Sequence, residues 1–471
     1  MKRNRMLAAS LAAVLSLSLL SGCGGSGGAS TPAPGTSAPT SAPQTEPPKS
    51  AVELTVVSTF AGEDTNAPNF EQGVADWAAQ TGNKVINNSE SSNETFKAKI
   101  RTDFQTGAEP DVLFFFNGVD ANSFVDAGKV VSIDEIRTVY PDYATNMKDG
   151  MMGASPVDGK NYSVPVNGYW EGMFVNKAVI EAAGVEIPGA DTTWEEFLDI
   201  CQQIKDAGYT PIAASMAEIP HYWFEFTIFN HLGVDGHNVL PAFGDAFDEN
   251  NAQYKGWVSG MEDLKQLYDL GYFPENTLSA TDNETYGLFT SDQAAFLVDG
   301  SWKVGGIEIA CGKDADNDIP VDQEMLANYT VTYVPGTGER KTTDIIGGLS
   351  SGYYITKKAW DDPAKRDAAV SFVQYMTSDE MVGKFAETSG NLTTALVNEP
   401  PVNKDNLSTL ALEGLAMVQG ATGIAGAVQD QIPQDCRTPL FVPGAAEIVS
   451  GQVAPADAVK ACLDLLAAAA K

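Results

Sequence analysis

From Val52 onward, apolar and polar positions follow two rhythms in turn. "VELTVVSTF" is rich in β-branched residues and predicts a strand; Phe70, Val74 and Trp77 then recur at helical spacing. "KVIN" predicts a short strand. Ser91-x-x-Glu94 reads as a capping box ahead of Phe96, Ile100 and Phe104, with Gly107 and Pro110 ending that helix. "DVLFFF" (Asp111–Phe116) is continuously apolar, as in a sheet covered on both faces. The alternation resumes with a second capping box, Thr193-x-x-Glu196, which opens "TWEEFLDICQQIKDAG", followed by the strand "TPIAAS". A helix over Trp257–Leu270 leads to the strands "AAFLVDG", "NYTVTYVPG" and "SSGYYITK". Helices over Pro363–Met376, Ser378–Ala386 and Pro455–Ala470 complete the pattern. Strand and helix alternating in this way predict an α/β class. A length of 471 residues predicts more than one compact lobe.

The first 50 residues follow neither rhythm. Lys2, Arg3 and Arg5 precede an apolar run, Met6–Leu20, too short to span a bilayer comfortably but suited to a secretory signal. The run ends in Leu20-Ser21-Gly22-Cys23, which resembles the lipobox of bacterial lipoproteins. Residues 1–22 are accordingly expected to be a signal peptide and Cys23 the acylated new N-terminus. Residues 24–50 hold no Leu, Ile, Val or aromatic residue and are rich in Gly, Ser, Pro and Thr. Such a segment cannot bury a core, so 23–50 predicts a disordered tether reaching roughly 30 Å from a membrane.

Charge narrows the partners. Lys and Arg number 29 against 62 Asp and Glu, giving a net charge of −33. Such a chain repels nucleic acids and anionic headgroups, and the acidity serves solubility. Beyond Cys23 there are four cysteines. Cys201 lies on the apolar stripe Trp194, Phe197, Leu198, Ile204, and Cys462 among Val459, Leu463 and Leu466, so both predict buried thiols. Cys311 and Cys436 are open to either a thiol or a disulfide reading.

Gly348-Leu349-Ser350-Ser351-Gly352 matches G-x-S-x-G, but strand-like stretches flank it on both sides. His221, His231 and His237 all precede the serine, whereas a nucleophile elbow needs a following helix and a later His. No two histidines have zinc-ligand spacing. "DADNDI" has Ile319 where a calcium loop needs Gly, and Met325 where it needs Glu. Gly159-Lys160 lacks the remainder of a phosphate loop. Glu63 and Asp64 are adjacent, whereas the two acids of a glycosidase flank the bond from opposite sides. The expectation is a binding protein: no catalytic residue, no metal, no cofactor.

Several stretches resemble one family in that family's order: "LTVVSTFAGED", "TDFQTGAEPDVLFF", "DAGKVVSID", "DGKNYSVPVNGYWEGMFVNKAVIEAAGV", "TTWEEFLDICQQIKDAGYTPIA", "QAAFLVDGSWKVG", "GGLSSGYYITK" and "DAAVSFVQYMTSDEM". The family is the extracellular solute-binding proteins of ABC importers, specifically the sugar-binding group related to maltose-binding protein. Phe174-Val175 departs from it, standing where the family often has Tyr-Tyr before Asn-Lys. The resemblance covers most of 51–471. It implies a bilobed fold of the type II periplasmic-binding-protein class, two α/β lobes joined by a multi-crossing hinge around a ligand cleft. The lobes are expected as 51–165 plus 333–354 and 166–332 plus 355–471. Crossings are expected near Val164–Trp170, near Tyr329–Thr332 and after "GGLSSG". The partners implied are a carbohydrate ligand, expected as a di- or oligosaccharide, and the membrane permease. A monomer held by its lipid to the outer face of a bacterial cell membrane is expected. The same fold could instead serve a polyamine, a polyol phosphate or a sensor, and a surface enzyme acting on glycans is the reading from another class.

A sugar presents hydroxyls at its rim and C–H-rich faces, so its site needs aromatic faces and polar side chains. Trp77, Trp194, Trp257 and Trp360 fall on helical stripes or caps and read as core. Trp302 follows a strand end in "DGSW", where the family resembled often stacks a Trp on its ligand, with Asp299 beside it. Tyr222 and Trp223 follow the strand "TPIAAS", and at least one is expected at the cleft. Tyr169 and Trp170 alternate at a crossing, so one of them faces inward. Glu63, Asp64 and Asn117 end strands and either meet hydroxyls or form solvated loops.

Overall fold

The computed structural model describes residues 51–470, apart from 63, 167, 315, 316, 318 and 390–393. The signal segment, Cys23, the tether and Glu63 therefore lie outside the described residues. The described strands are β1 (Glu53–Val57), β2 (Lys84–Asn87), β3 (Val112–Phe116), β4 (Ser163–Val164), β5 (Tyr169–Asn176), β6 (Thr210–Ile212), β7 (Ala294–Gly300), β8 (Tyr329–Thr332), β9 (Asp344–Gly348), β10 (Ser351–Ile355) and β11 (Gly423–Ala425). They form two sheets, each the centre of one lobe. The first has the order β2-β1-β3-β10-β4; the second runs β11-β9-β5-β7-β6, with β8 also pairing β5. β1 lies parallel to β2 and β3, while β10 runs antiparallel to β3 and β4. In the second sheet β5 runs antiparallel to β7, β8 and β9.

The apolar run of β3 is explained by burial on both faces. Val112 and Phe114 pack into one core with Leu54, Trp77 and Phe372. Leu113 and Phe115 pack into another with Phe96, Ile100 and Phe124. β5 behaves likewise: Met173 and Val175 join the core of helices Trp194–Asp206 and His221–His237, while Trp170 and Phe174 face the opposite one. The capping box at Thr193 is present, with Thr193 accepting from the Glu196 N–H and Glu196 accepting from Thr193. The earlier signal is displaced: Asn93, not Ser91, caps the helix Glu94–Thr106 and accepts from the Phe96 N–H.

The chain crosses between sheets from β4 to β5 and again from β9 to β10. These crossings run side by side, since Tyr169 pairs with Gly348 and the Asn117 N–H donates to the Ser350 carbonyl at 2.7 Å. A Cβ on Gly347 would stand 2.8 Å from the Tyr169 carbonyl, so glycine there permits the close crossing. Two boundaries differ from expectation. No crossing occurs at Tyr329–Thr332: β8 pairs with β5 inside the second sheet. Of the segment 333–354, β9 joins the second sheet through β5 and β11, and only β10 joins the first. The helices from Lys357 to Ser389 were expected in the second lobe but pack on the first, where Trp360, Phe372, Val373 and Phe385 bury against Leu54 and Val56. Cys201, Cys311, Cys436 and Cys462 are all buried free thiols.

Candidate functional site

A cavity of about 300 Å³ lies between the two sheets, at the loops that follow strand C-terminal ends. The first lobe supplies the loop after β1, the start of the helix Glu94–Thr106, and Phe114 and Phe116 of β3. The second lobe supplies Tyr169 at the start of β5, His221 and Tyr222 at the start of a helix, Asp299 near the end of β7, and Ser301 to Lys303 after it. Ser350 and Ser351, at a crossing, also line it, as do Asp282 and Gln429.

Aromatic side chains form the second lobe's wall. The Trp302 ring stands 6.0 Å from Tyr169 and 5.7 Å from Tyr222, tilted 42° to each. A Cβ on Gly300 would sit 2.2 Å from the Trp302 ring, so the indole lies directly across that glycine. Trp302 is only partly buried, which leaves aromatic surface for a ligand. Tyr169 is held from behind: its hydroxyl donates to Asp430 at 3.3 Å and accepts from the Ala427 N–H at 3.3 Å.

Polar groups ring this wall. Asp64 accepts from the Asn66 N–H at 2.8 Å, and burial pushes its carboxyl up to about 7. Asp299 is 1% exposed; burial raises it to about 7 against the opposing pull of Lys303, 3.9 Å away. Both lysines of the lining are engaged. Lys303 pairs with Asp282 at 2.9 Å, and Lys97 with Glu94 at 3.1 Å while donating to Gln429 at 2.8 Å. Burial would raise Glu94, but Lys97 and Arg437 outweigh it and bring it down to about 2. His221 is lowered as well, to about 3, by burial first and then by Lys97, so its ring is neutral.

Behind Tyr169 and Tyr222 lies a group of buried acids. Glu171 of β5 is fully buried, and among the described residues neither carboxyl oxygen has a hydrogen-bond partner. Burial and the nearby Glu225, Asp299 and Asp430 hold its pKa far above the usual carboxylate range. Burial likewise lifts Glu225 to about 8 and Asp430 to about 6. An acid with a raised folded pKa keeps its proton where the unfolded chain has lost it. Its contribution to stability is therefore lost progressively as pH rises from the unfolded value, near 4.5, through the folded value. The melting temperature is expected to fall by several degrees between pH 5 and pH 9. Glu171→Gln should flatten that fall and melt higher than the parent at pH 9 by calorimetry. Equal pH slopes in the two proteins would contradict this.

The nominated residues divide. Trp302, Asp299, Tyr222, Tyr169 and Asp64 all line the cavity. Trp170 and Trp223 do not: each is the partner of a lining tyrosine and is itself core. Trp170 is fully buried beside Phe174, 5.8 Å away. Trp223 stacks on Phe197 at 6.1 Å. Asn117 turns from the cavity because its amide packs against Gly153, where a Cβ would stand 2.2 Å from Nδ2. Sequence reading missed His221, Lys97, Gln429 and Asp282. His221 adjoins the nominated Tyr222, and Lys97 follows a cap signal; Gln429 reaches the cavity only through tertiary folding.

Two sets of contacts bridge the lobes beside the cavity. On one side Thr65 meets Ser301, Trp302 and Gly305. On the other, Arg437 pairs with Asp120 at 2.6 Å and stands 3.7 Å from Glu94, and Arg101 pairs with Asp435.

The family model described as "Bacterial extracellular solute-binding protein" matches residues 72–407. This chain belongs to that family. Among solved structures this solute-binding protein resembles a chitin oligosaccharide binding protein, with TM-score 0.70 and 20% identity over 88% of this chain and 98% of that one. RafE in complex with raffinose gives 0.65 and 18%, over 89% and 99%. These likenesses establish the bilobed fold. The multiple sugar-binding protein of Streptococcus mutans is 23% identical over 296 residues, covering 62% of this chain and 64% of that protein. The osmoprotective compounds-binding protein GgtB of Synechocystis is 28% identical over 161 residues, 34% and 36% respectively. The matches thus span less than two thirds of these relatives' lengths.

Proposed function

We propose that this protein is the lipid-anchored extracellular substrate-binding subunit of an ABC importer. It holds a sugar of two or more rings between its lobes and passes it to the permease, without chemistry on the ligand. Cys23 carries the lipid, and the tether 23–50 holds a monomeric body off the membrane. The observation that carries the sugar reading is the partly open Trp302 face, set across Gly300 between Tyr169 and Tyr222 and ringed by Asp64, Asp299, Ser350 and Ser351. An aromatic face takes the C–H side of a sugar ring, and carboxyls and hydroxyls take its rim. The multiple sugar-binding protein of Streptococcus mutans and the raffinose-bound RafE agree with this choice.

A phosphate-bearing ligand fits less well, because Lys97 and Lys303 already pair with Glu94 and Asp282. The test is thermal unfolding in a panel holding galactose, maltotriose, raffinose, xylotriose and chitotriose, with spermidine as the cationic comparison. A binding sugar at a hundred times its Kd stabilises by about 2.7 kcal/mol and raises the melting temperature. A shift with spermidine alone, or with nothing, defeats the sugar reading; turnover of a bound oligosaccharide defeats the claim that no chemistry occurs.

A further inference from the structure

The helix Lys303–Ala310 begins immediately after the Trp302 ring, and its start lacks a cap of its own. Trp302 occupies the N-cap position and makes no side-chain cap bond there. A capping Ser or Thr would accept from the N–H of the second or third helical residue. The third is Gly305, and its N–H does donate to a threonine hydroxyl, 2.8 Å away. That threonine is Thr65, which belongs to the loop after β1 in the opposite lobe.

The same hydroxyl donates to the Trp302 carbonyl at 2.7 Å, with the Ser301 carbonyl at 3.2 Å. The Thr65 N–H also donates to the Trp302 carbonyl, at 3.1 Å. Thr65 is 4% exposed although it sits between two lobes. Gly305 makes the approach possible: a Cβ there would stand 2.7 Å from the Thr65 Cα, a backbone atom that cannot swing aside. Next to Thr65, Asp64 faces the cavity from the first lobe, while Trp302 faces it from the second.

We propose that Thr65 is a cap supplied in trans, so that docking of the first lobe completes the helix behind Trp302 and fixes that ring for its ligand. Thr65 is then a positioning residue: it meets the backbone of the ring-bearing segment and need not meet the ligand. Lobe closure, helix capping and placement of Trp302 become one event. Parting the lobes leaves the Gly305 N–H and the Trp302 carbonyl to water. The proposal rests on the sugar reading only for the choice of ligand.

Two measurements separate the ideas. Amide hydrogen exchange in the ligand-free full-length protein reads the cap directly. Exchange at Gly305 should be several-fold faster in Thr65→Val than in the parent, and Thr65→Ser should restore it. Unchanged exchange in the valine variant overturns the cap. Calorimetric titration with raffinose, maltotriose and chitotriose reads the coupling. Thr65→Val should bind roughly ten-fold more weakly, as expected for a lost cap, mainly through faster release, with Thr65→Ser close to the parent. Gly305→Ala should bind more weakly still, because its methyl cannot share the space of the Thr65 Cα. Parent-like affinity in both Thr65→Val and Gly305→Ala overturns the coupling. A parent that binds none of the sugars defeats the sugar reading, while the exchange result still decides the cap.

Discussion

Replacing Trp302 by alanine is expected to weaken sugar binding by about two orders of magnitude while leaving the fold intact. The ring is only partly buried, so its removal opens no large core cavity. Its open face is what a sugar would cover. Covering about 50 Å² of indole and as much of the sugar removes about 100 Å² from water, worth about 2.5 kcal/mol. That is close to a hundredfold in Kd. Tyr222 adds to the loss, because it leans on the indole and loses that support, while Tyr169 stays held by Asp430 and Ala427. Gly300→Ala provides the complementary test. It keeps the indole but places a methyl 2.2 Å from its ring atoms, so the ring must leave its place. Titration calorimetry should show a similar loss in both variants, with unchanged far-ultraviolet circular dichroism. Parent-like affinity for Trp302→Ala would remove the ring from the ligand's contacts.

The second large effect concerns stability. Arg437→Ala should destabilise the body by about 3–5 kcal/mol, the usual result of stripping one partner from a buried charge pair. Arg437 is 1% exposed and donates to the Asp120 carboxylate at 2.6 Å and to the Ile432 carbonyl at 2.7 Å, with a further bond to the Gln429 carbonyl. Its guanidinium also lies over the Phe441 ring. Without it, Asp120 and Glu94 remain buried with Lys97 as their shared cation. Arg437→Lys should recover only part of the loss, because an ammonium supplies charge but not the planar fork. Because the pair joins the two lobes, ligand affinity should fall as well. Urea unfolding of the three proteins measures the order, and equal midpoints would show that the pair contributes nothing net.

The fold class was legible because strand and helix rhythms are local. The phase of a buried element was not. β5 is covered on both faces, so alternation says that Tyr169 and Trp170 point oppositely without saying which side is the cleft. Trp223 sits in a helix buried on nearly every side from Trp223 to Asn230, so no polar stripe marks its orientation. Asn117 ends a strand as a ligand residue would, yet its amide packs against the nearby Gly153. Lobe membership was the least accessible property. β9 pairs with β5 across more than 170 positions of chain, and the helices after Lys357 carry apolar faces that either core could accept. Trp302 was found because the turn before it and the helix after it are both short-range features. Thr65 was not, because its partners lie 236 to 240 residues away.

The four buried thiols bear on where the body can fold. Burial pushes Cys311 up to about 11 and Cys462 up to about 12, and raises Cys201 and Cys436 as well. Such groups carry almost no thiolate at neutral pH and exchange slowly with oxidants. No described cysteine waits for a bridge, so the body needs no oxidising compartment to reach its native packing. It can fold in a reducing interior as readily as beyond the membrane. Any export of an unfolded chain is then a race against a fold that is ready to form on either side.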